Sequence, residues 1–152
     1  MKITLSDFAY ITSLFANDLK YVGMHAAGPQ FDTIQKIAYD YAGTLESDSV
    51  ELGEVAIQKG EDIKSFSTVK SFIDESVWKP EDSGSYDFDS FINFINRKGH
   101  DYLEAIADAK ESYPTFDSEF SILYSYWDKE INYTNASMAI TNNDNNINNS
   151  KI

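Results

Sequence analysis

The chain has 152 residues, is 42% hydrophobic and 14% aromatic, and carries a formal net charge of −13 from 25 acids against 12 Lys and Arg. That length suits one domain with a sizeable, unusually aromatic core. The acidity argues against nucleic acid, whose phosphates need clustered cations. The absence of cysteine removes disulfides, thiolate metal sites and cysteine nucleophiles, and fits a reducing, cytoplasmic setting.

The N-terminus, Met-Lys-Ile-Thr-Leu-Ser-Asp-Phe, has one basic residue and no long apolar run, so neither a secretory leader nor a membrane span is expected. A first helix is predicted from about Ser6 to His25, with Ser6 as N-cap and Asp7 at the positive end of the dipole. Phe8, Ile11, Phe15, Leu19 and Val22 recur at spacings of three and four and make one apolar stripe. Gly28-Pro29 stops this helix and turns the chain.

Asp32 then caps a second helix, read as Thr33 to Lys59 with Gly60 just past its end. Its stripe is Ile34, Ile37, Tyr41, Leu45, Asp48, Leu52 and Val55. Asp48 is the polar exception. It reads either as an edge acid reaching solvent or a tyrosine hydroxyl, or as a remnant of an inward-facing metal site. Gly43 and Gly53 cost this helix roughly 1 kcal/mol each relative to alanine, and suit either a close helix contact or a bend.

Residues 61–87 are polar, with a short helix predicted over 67–78 on Val69, Phe72, Ile73 and Val77. A third long helix fits Asp87 to Tyr113, with Phe88, Phe91, Ile92, Ile95, Tyr102, Ile106 and Ala109 on one side and Pro114 after its end. A fourth fits Asp117 to about Ile140, on Phe120, Leu123, Tyr124, Trp127, Ile131 and Met138. Residues 141–152 form an Asn-rich tail whose composition predicts disorder. The sequons at Asn132, Asn135 and Asn148 read as chance matches in this Asn-rich region. Four long helices with one long crossover between the second and third predict an all-α fold over residues 1–140, a four-helix bundle of the ferritin type with a short extra helix in the crossover.

The stretch His25-Ala-Ala-Gly-Pro-Gln-Phe-Asp-Thr-Ile-Gln35, set between two amphipathic segments, resembles the first helical hairpin of the Dps proteins, the mini-ferritins. The resemblance covers about residues 5–140, and its specific motif lies within 21–60. It implies a homo-oligomer built from dimers, up to a twelve-subunit shell, with iron held between two subunits. Anchored on Gly28-Pro29-Gln30-Phe31, the family's first histidine falls at Gly23, its neighbouring Trp at Met24, its second histidine at Gln35 and its nearby acid at Tyr39. Its acid pair falls at Val50 and Glu54, of which only Glu54 matches. His25 is two residues from the expected place, about 160° away around a helix. Some members of the family bind DNA through a lysine-rich tail, but here the two ends carry only Lys2 and Lys151, so DNA is not expected as a partner.

A di-iron centre inside a single bundle needs Glu-x-x-His on facing helices. The chain has only His25 and His100, and neither follows a glutamate at that spacing. Relocated iron ligands would have to come from Glu54, Glu51 and Asp48, and the plainer reading of these acids is a solvated helix face. His25 reads as a helix-end residue at the negative dipole end, and His100 with Glu104 as an exposed i,i+4 pair. No serine or threonine has a histidine paired with it in sequence, and no Gly-rich loop cradles phosphate. No catalytic residue is assigned, and iron is the one cofactor considered.

Three functions follow. The first is a Dps-like oligomer without ferroxidase activity. The second is an iron-oxidising and storing mini-ferritin with relocated ligands. The third is an acidic interaction protein that mimics nucleic acid in a partner's basic groove.

Overall fold

The computed structural model describes residues 3–69, 77–82 and 84–150. The fold is all-α, and among the described residues no strand occurs. The helices are α1 (Leu5–Met24), α2 (Phe31–Gln58), α3 (Phe66–Val69), α4 (Phe88–Ser112) and α5 (Asp117–Ser150), with a 3₁₀ turn at Pro114–Phe116 before α5. α1 packs along α2, α4 packs along α5, and α1 also meets α4.

The caps explain where the helices begin. Thr4, not Ser6, is the N-cap of α1. Its Oγ1 accepts from the Asp7 N–H while the Asp7 carboxylate accepts from the Thr4 N–H, both at 3.0 Å. Ser6 has another use: its Oγ accepts the backbone N–H of Lys64 at 2.9 Å and ties the crossover to α1. Asp32 does not cap α2 either. The helix starts at Phe31 because the turn already bonds Phe31 N–H to the Gly28 carbonyl, which leaves Gln30 as an N-cap without a side-chain bond and Asp32 in the first turn. At the other end, Gly60 takes φ +77°, its N–H bonds the Ile57 carbonyl and the Glu61 N–H bonds the Ala56 carbonyl at 2.8 Å. That double closure needs a left-handed residue at position 60, which is what the sequence anticipates there. Asp87 caps α4 by accepting from the Ser90 N–H.

The α1 stripe Phe8, Ile11, Phe15, Leu19 and Val22 is buried throughout. It meets Ile34, Tyr41 and Leu45 of α2, Phe91, Phe94, Ile95, Tyr102 and Ile106 of α4, and Phe120, Trp127 and Ile131 of α5 in one core. Phe15 is the aromatic hub, with ring centroids 5.2 Å from Tyr102, 5.5 Å from Trp78, and 6.3 Å from both Phe94 and Trp127. Each of these rings buries a large apolar area, and tilted pairs at such spacing add a little beyond burial. The buried hydroxyls are satisfied: Thr12 donates to the Phe8 carbonyl and accepts from Tyr102, 2.9 Å away. α4 and α5 come close at Gly99, where a Cβ would stand 2.6 Å from Ile131 Cδ1.

Two further expectations differ from the structure. Tyr124, assigned to the α5 core stripe, is exposed although its spacing puts it on the same face of the helix as Phe120, Trp127 and Ile131. The short helix expected over 67–78 has a described part, the single turn Phe66–Val69; residues 70–76, with Phe72 and Ile73, lie outside the described residues, and Val77 and Trp78 are not helical. The backbone of α5 runs as helix from Asp117 to Ser150, past the core contacts of Phe120, Trp127 and Ile131. Extending a formed helix costs little per residue compared with nucleating one, so α5 need not stop where its core contacts do.

Candidate functional site

The Gly28-Pro29 turn brings the end of α1 against the first turns of α2. Gly23 is buried, and the ring of Tyr39 lies directly on it: a Cβ at position 23 would collide with Cε1 and stand 2.9 Å from Cδ1 and Cζ. The resemblance places a histidine at the first of these positions and an acid at the second. Here an absent side chain and an oversized one occupy each other's space. Gln35 is half-buried, and Met24, Val50 and Glu54 are exposed.

His25, the C-cap of α1, is engaged locally. Its Nδ1 lies 2.8 Å from the Tyr21 carbonyl oxygen and its ring lies 4.1 Å from that of Tyr21. Its carbonyl accepts the Tyr86 N–H, and the Tyr86 carbonyl accepts the Ala27 N–H, so the crossover is pinned to the turn by a short parallel bridge. His100 and Glu104 are both exposed on α4.

The acids named as relocated ligands part company. Asp48 sits on the inner edge of α2, where its Oδ2 accepts the indole N–H of Trp127 at 3.4 Å. Burial pushes its carboxyl above the usual range, the indole opposes that, and nearby Glu51 adds to it. Asp48 and Glu51 line a groove of about 320 Å³ between α2 and α5, with Leu52, Phe120 and Tyr126. Glu119 reaches the same groove but is ion-paired with Lys59 at 2.9 Å, which holds it below the ordinary glutamate range. Glu54 lies one helix turn on and does not line that groove. Among the described residues, no group of three or more His, Asp or Glu side chains is gathered in a way that could hold a metal ion.

A polar cluster that periodicity gave no reason to expect lies between α1, α4 and the crossover. Asp18, on the buried side of α1, accepts from Trp78 Nε1 at 2.8 Å and from the Glu81 N–H at 3.1 Å. Lys98 of α4, also buried, stands 3.6 Å from Asp18 Oδ2 and 4.5 Å from the Trp78 ring centroid, and donates to the Lys79 carbonyl. Glu81 carries the chain outward: it accepts from Tyr86 at 2.8 Å and from Arg97 at 3.0 and 3.3 Å. Burial raises the Asp18 carboxyl despite those donors. Burial works the same way on Glu81, but Arg97 and Tyr86 outweigh it and hold Glu81 below its usual range. The signal in sequence was Lys98 on the α4 core face, four residues before Tyr102. The cluster ties the crossover to α1 and α4.

No family model, curated protein or solved structure matches this chain. Among the described residues, no helix is long and apolar enough to cross a membrane.

Proposed function

We propose that this protein is a helical scaffold of the mini-ferritin kind, a four-helix bundle with a short helix in its crossover, that works by associating with copies of itself and does not oxidise iron. The observation that carries the reading is the Tyr39 ring lying on Gly23. Iron oxidation by the mini-ferritin route needs a set of carboxylates and imidazoles that holds two ions through a change of oxidation state. A glycine and a phenol that fill each other's space leave neither ligand nor room. Glu54 and Glu51 remain as exposed acids and attract cations only as part of a negative surface. The order of the helices, with the long crossover between the second and third long ones, supports the bundle.

Aerobic addition of Fe(II), followed by absorbance, tests the chemistry. Oxidation at the protein-free rate is expected. Turnover well above background and lost in Glu54→Ala would overturn the reading in favour of an iron-oxidising mini-ferritin with displaced ligands. Native mass tests the assembly: roughly 200 kDa would correspond to twelve copies of the 17.2 kDa chain, and a monomer at all concentrations would end the scaffold reading.

A further inference from the structure

Most of the acids drawn into the body of this molecule have a cation of the chain beside them. Asp18 has Lys98, Glu81 has Arg97 and Glu119 has Lys59. Asp48 is half-buried as well, yet among the described residues no Lys or Arg answers it. Its nearest charged neighbour is Glu51, one helical turn on, which carries the same sign. Both acids line the groove of about 320 Å³ between α2 and α5. That volume lies at the small end of the roughly 300–1,000 Å³ typical of ligand pockets.

The two ends of the groove differ. α2 and α5 run antiparallel here, since Asp48 meets Trp127 and Lys59 meets Glu119. At the Glu119 end the chain supplies its own cation. At the Asp48 end it supplies two carboxylates and no counter-charge. Between the ends the walls are apolar, formed by Leu52, Val55, Phe120 and Leu123. A ligand that covers those walls and brings positive charge to the acids relieves the repulsion and removes apolar surface from water. A hydrated metal ion does only the first. Hard cations take many oxygen ligands, and among the described residues no third carboxylate or imidazole joins this pair. We propose that the groove binds a small organic cation, with its ammonium group at Asp48 and Glu51 and its aromatic or branched apolar body against Leu52, Phe120 and Leu123. Tyr126, whose ring stands at 89° to that of Trp127, lines the same groove and gives the cation an aromatic neighbour. The groove is complete within one chain, so this site goes beyond the scaffold reading and does not rest on it.

Phenethylamine is the probe, with phenethyl alcohol as its neutral counterpart and Mg²⁺ as the inorganic cation. Each is titrated into the full chain at pH 7 and followed by calorimetry and by amide NMR shifts. Phenethylamine is expected to bind with a Kd below about 1 mM and about ten-fold more tightly than the alcohol, with shifts centred on residues 44–55 and 119–126. Glu51→Gln and Asp48→Asn are each expected to weaken it by about five-fold with an unchanged helical spectrum. Glu104→Gln, which removes an exposed acid on α4, is expected to leave the affinity as it is. Equal affinity for the alcohol would overturn the proposal, because the acids would then recognise nothing. So would a loss in Glu104→Gln as large as in Glu51→Gln, which would assign the binding to the net charge of −13 and not to the groove. Saturable Mg²⁺ binding that displaces phenethylamine would make this a metal site, and absence of shifts in the groove at millimolar phenethylamine would leave no site; either result overturns it.

Discussion

Asp18 shows how one side chain can hold a long polar segment in place. Its carboxylate faces an indole N–H, a backbone N–H and the buried ammonium of Lys98. Asp18→Ala leaves the two N–H groups without their acceptor and Lys98 without its counter-charge in a dry setting, and should cost about 3–5 kcal/mol in a urea melt. Lys98→Met should cost less, because the two N–H donors remain on Asp18 and its carboxyl, already raised by burial, can take up a proton. Equal losses in the two variants would show that the ion pair, and not the hydrogen bonds, dominates. Asp48 provides a pH test. Its folded-state carboxyl lies above its unfolded value, so its contribution to folding is least favourable at neutral pH and improves as pH falls through the raised value. Asp48→Asn keeps an acceptor for Trp127 and removes the charge. It should therefore be as stable as the parent or more so at pH 7, by up to about 1 kcal/mol. That advantage should shrink on acidification, and thermal melts at pH 7 and pH 4 would show a constant difference if Asp48 were not the cause.

At the scale of the element, α2 is the helix whose two faces have different fates. One face joins the core through Ile34, Tyr41 and Leu45, while the other is mostly charged and polar and carries exposed Tyr39, Val50 and Ile57 among those residues. Gly43→Ala and Gly53→Ala test the helix by itself. Under conditions that keep the chain monomeric, each should stabilise it by about 0.5–1 kcal/mol, since alanine restricts the unfolded chain and a Cβ meets nothing. A loss of stability in a urea melt would show that the helix needs a glycine at these points. Within the chain the close approaches lie elsewhere, at Gly23 under Tyr39 and at Gly99 under Ile131.

The whole molecule is dominated by its charge of −13. Among the exposed cations, Lys36 pairs with Asp40 and Lys20 with Glu46, so these lysines serve local acids instead of forming a basic surface. Copies of such a chain repel each other at low ionic strength, and the repulsion is screened over about 10 Å at 0.1 M salt. The association constant, measured by sedimentation, should therefore rise between 20 and 300 mM NaCl, whereas contacts made chiefly by ion pairs between copies would weaken over the same range. Binding to duplex DNA should stay negligible across that range, as a filter-binding titration would show.

Much of the helical order was readable from periodicity. The α1 stripe from Phe8 to Val22 and the left-handed residue at Gly60 follow from local rules, because a 3.6-residue repeat and a backbone that only glycine adopts easily leave their mark in neighbouring residues. The candidate site was legible only through the resemblance, which expects ligands where Gly23, Gln35, Tyr39 and Val50 stand. Only the tertiary structure placed the Tyr39 ring on Gly23, turned Asp48 to Trp127 and gathered Asp18, Lys98, Trp78 and Glu81 into one cluster. Those relations join residues up to 80 positions apart in sequence, and Ser6, a cap by residue type, instead accepts the N–H of Lys64 58 positions on. A side chain's partner is decided by which helices pack together, and that is a property of the folded chain as a whole, on which local spacing is silent.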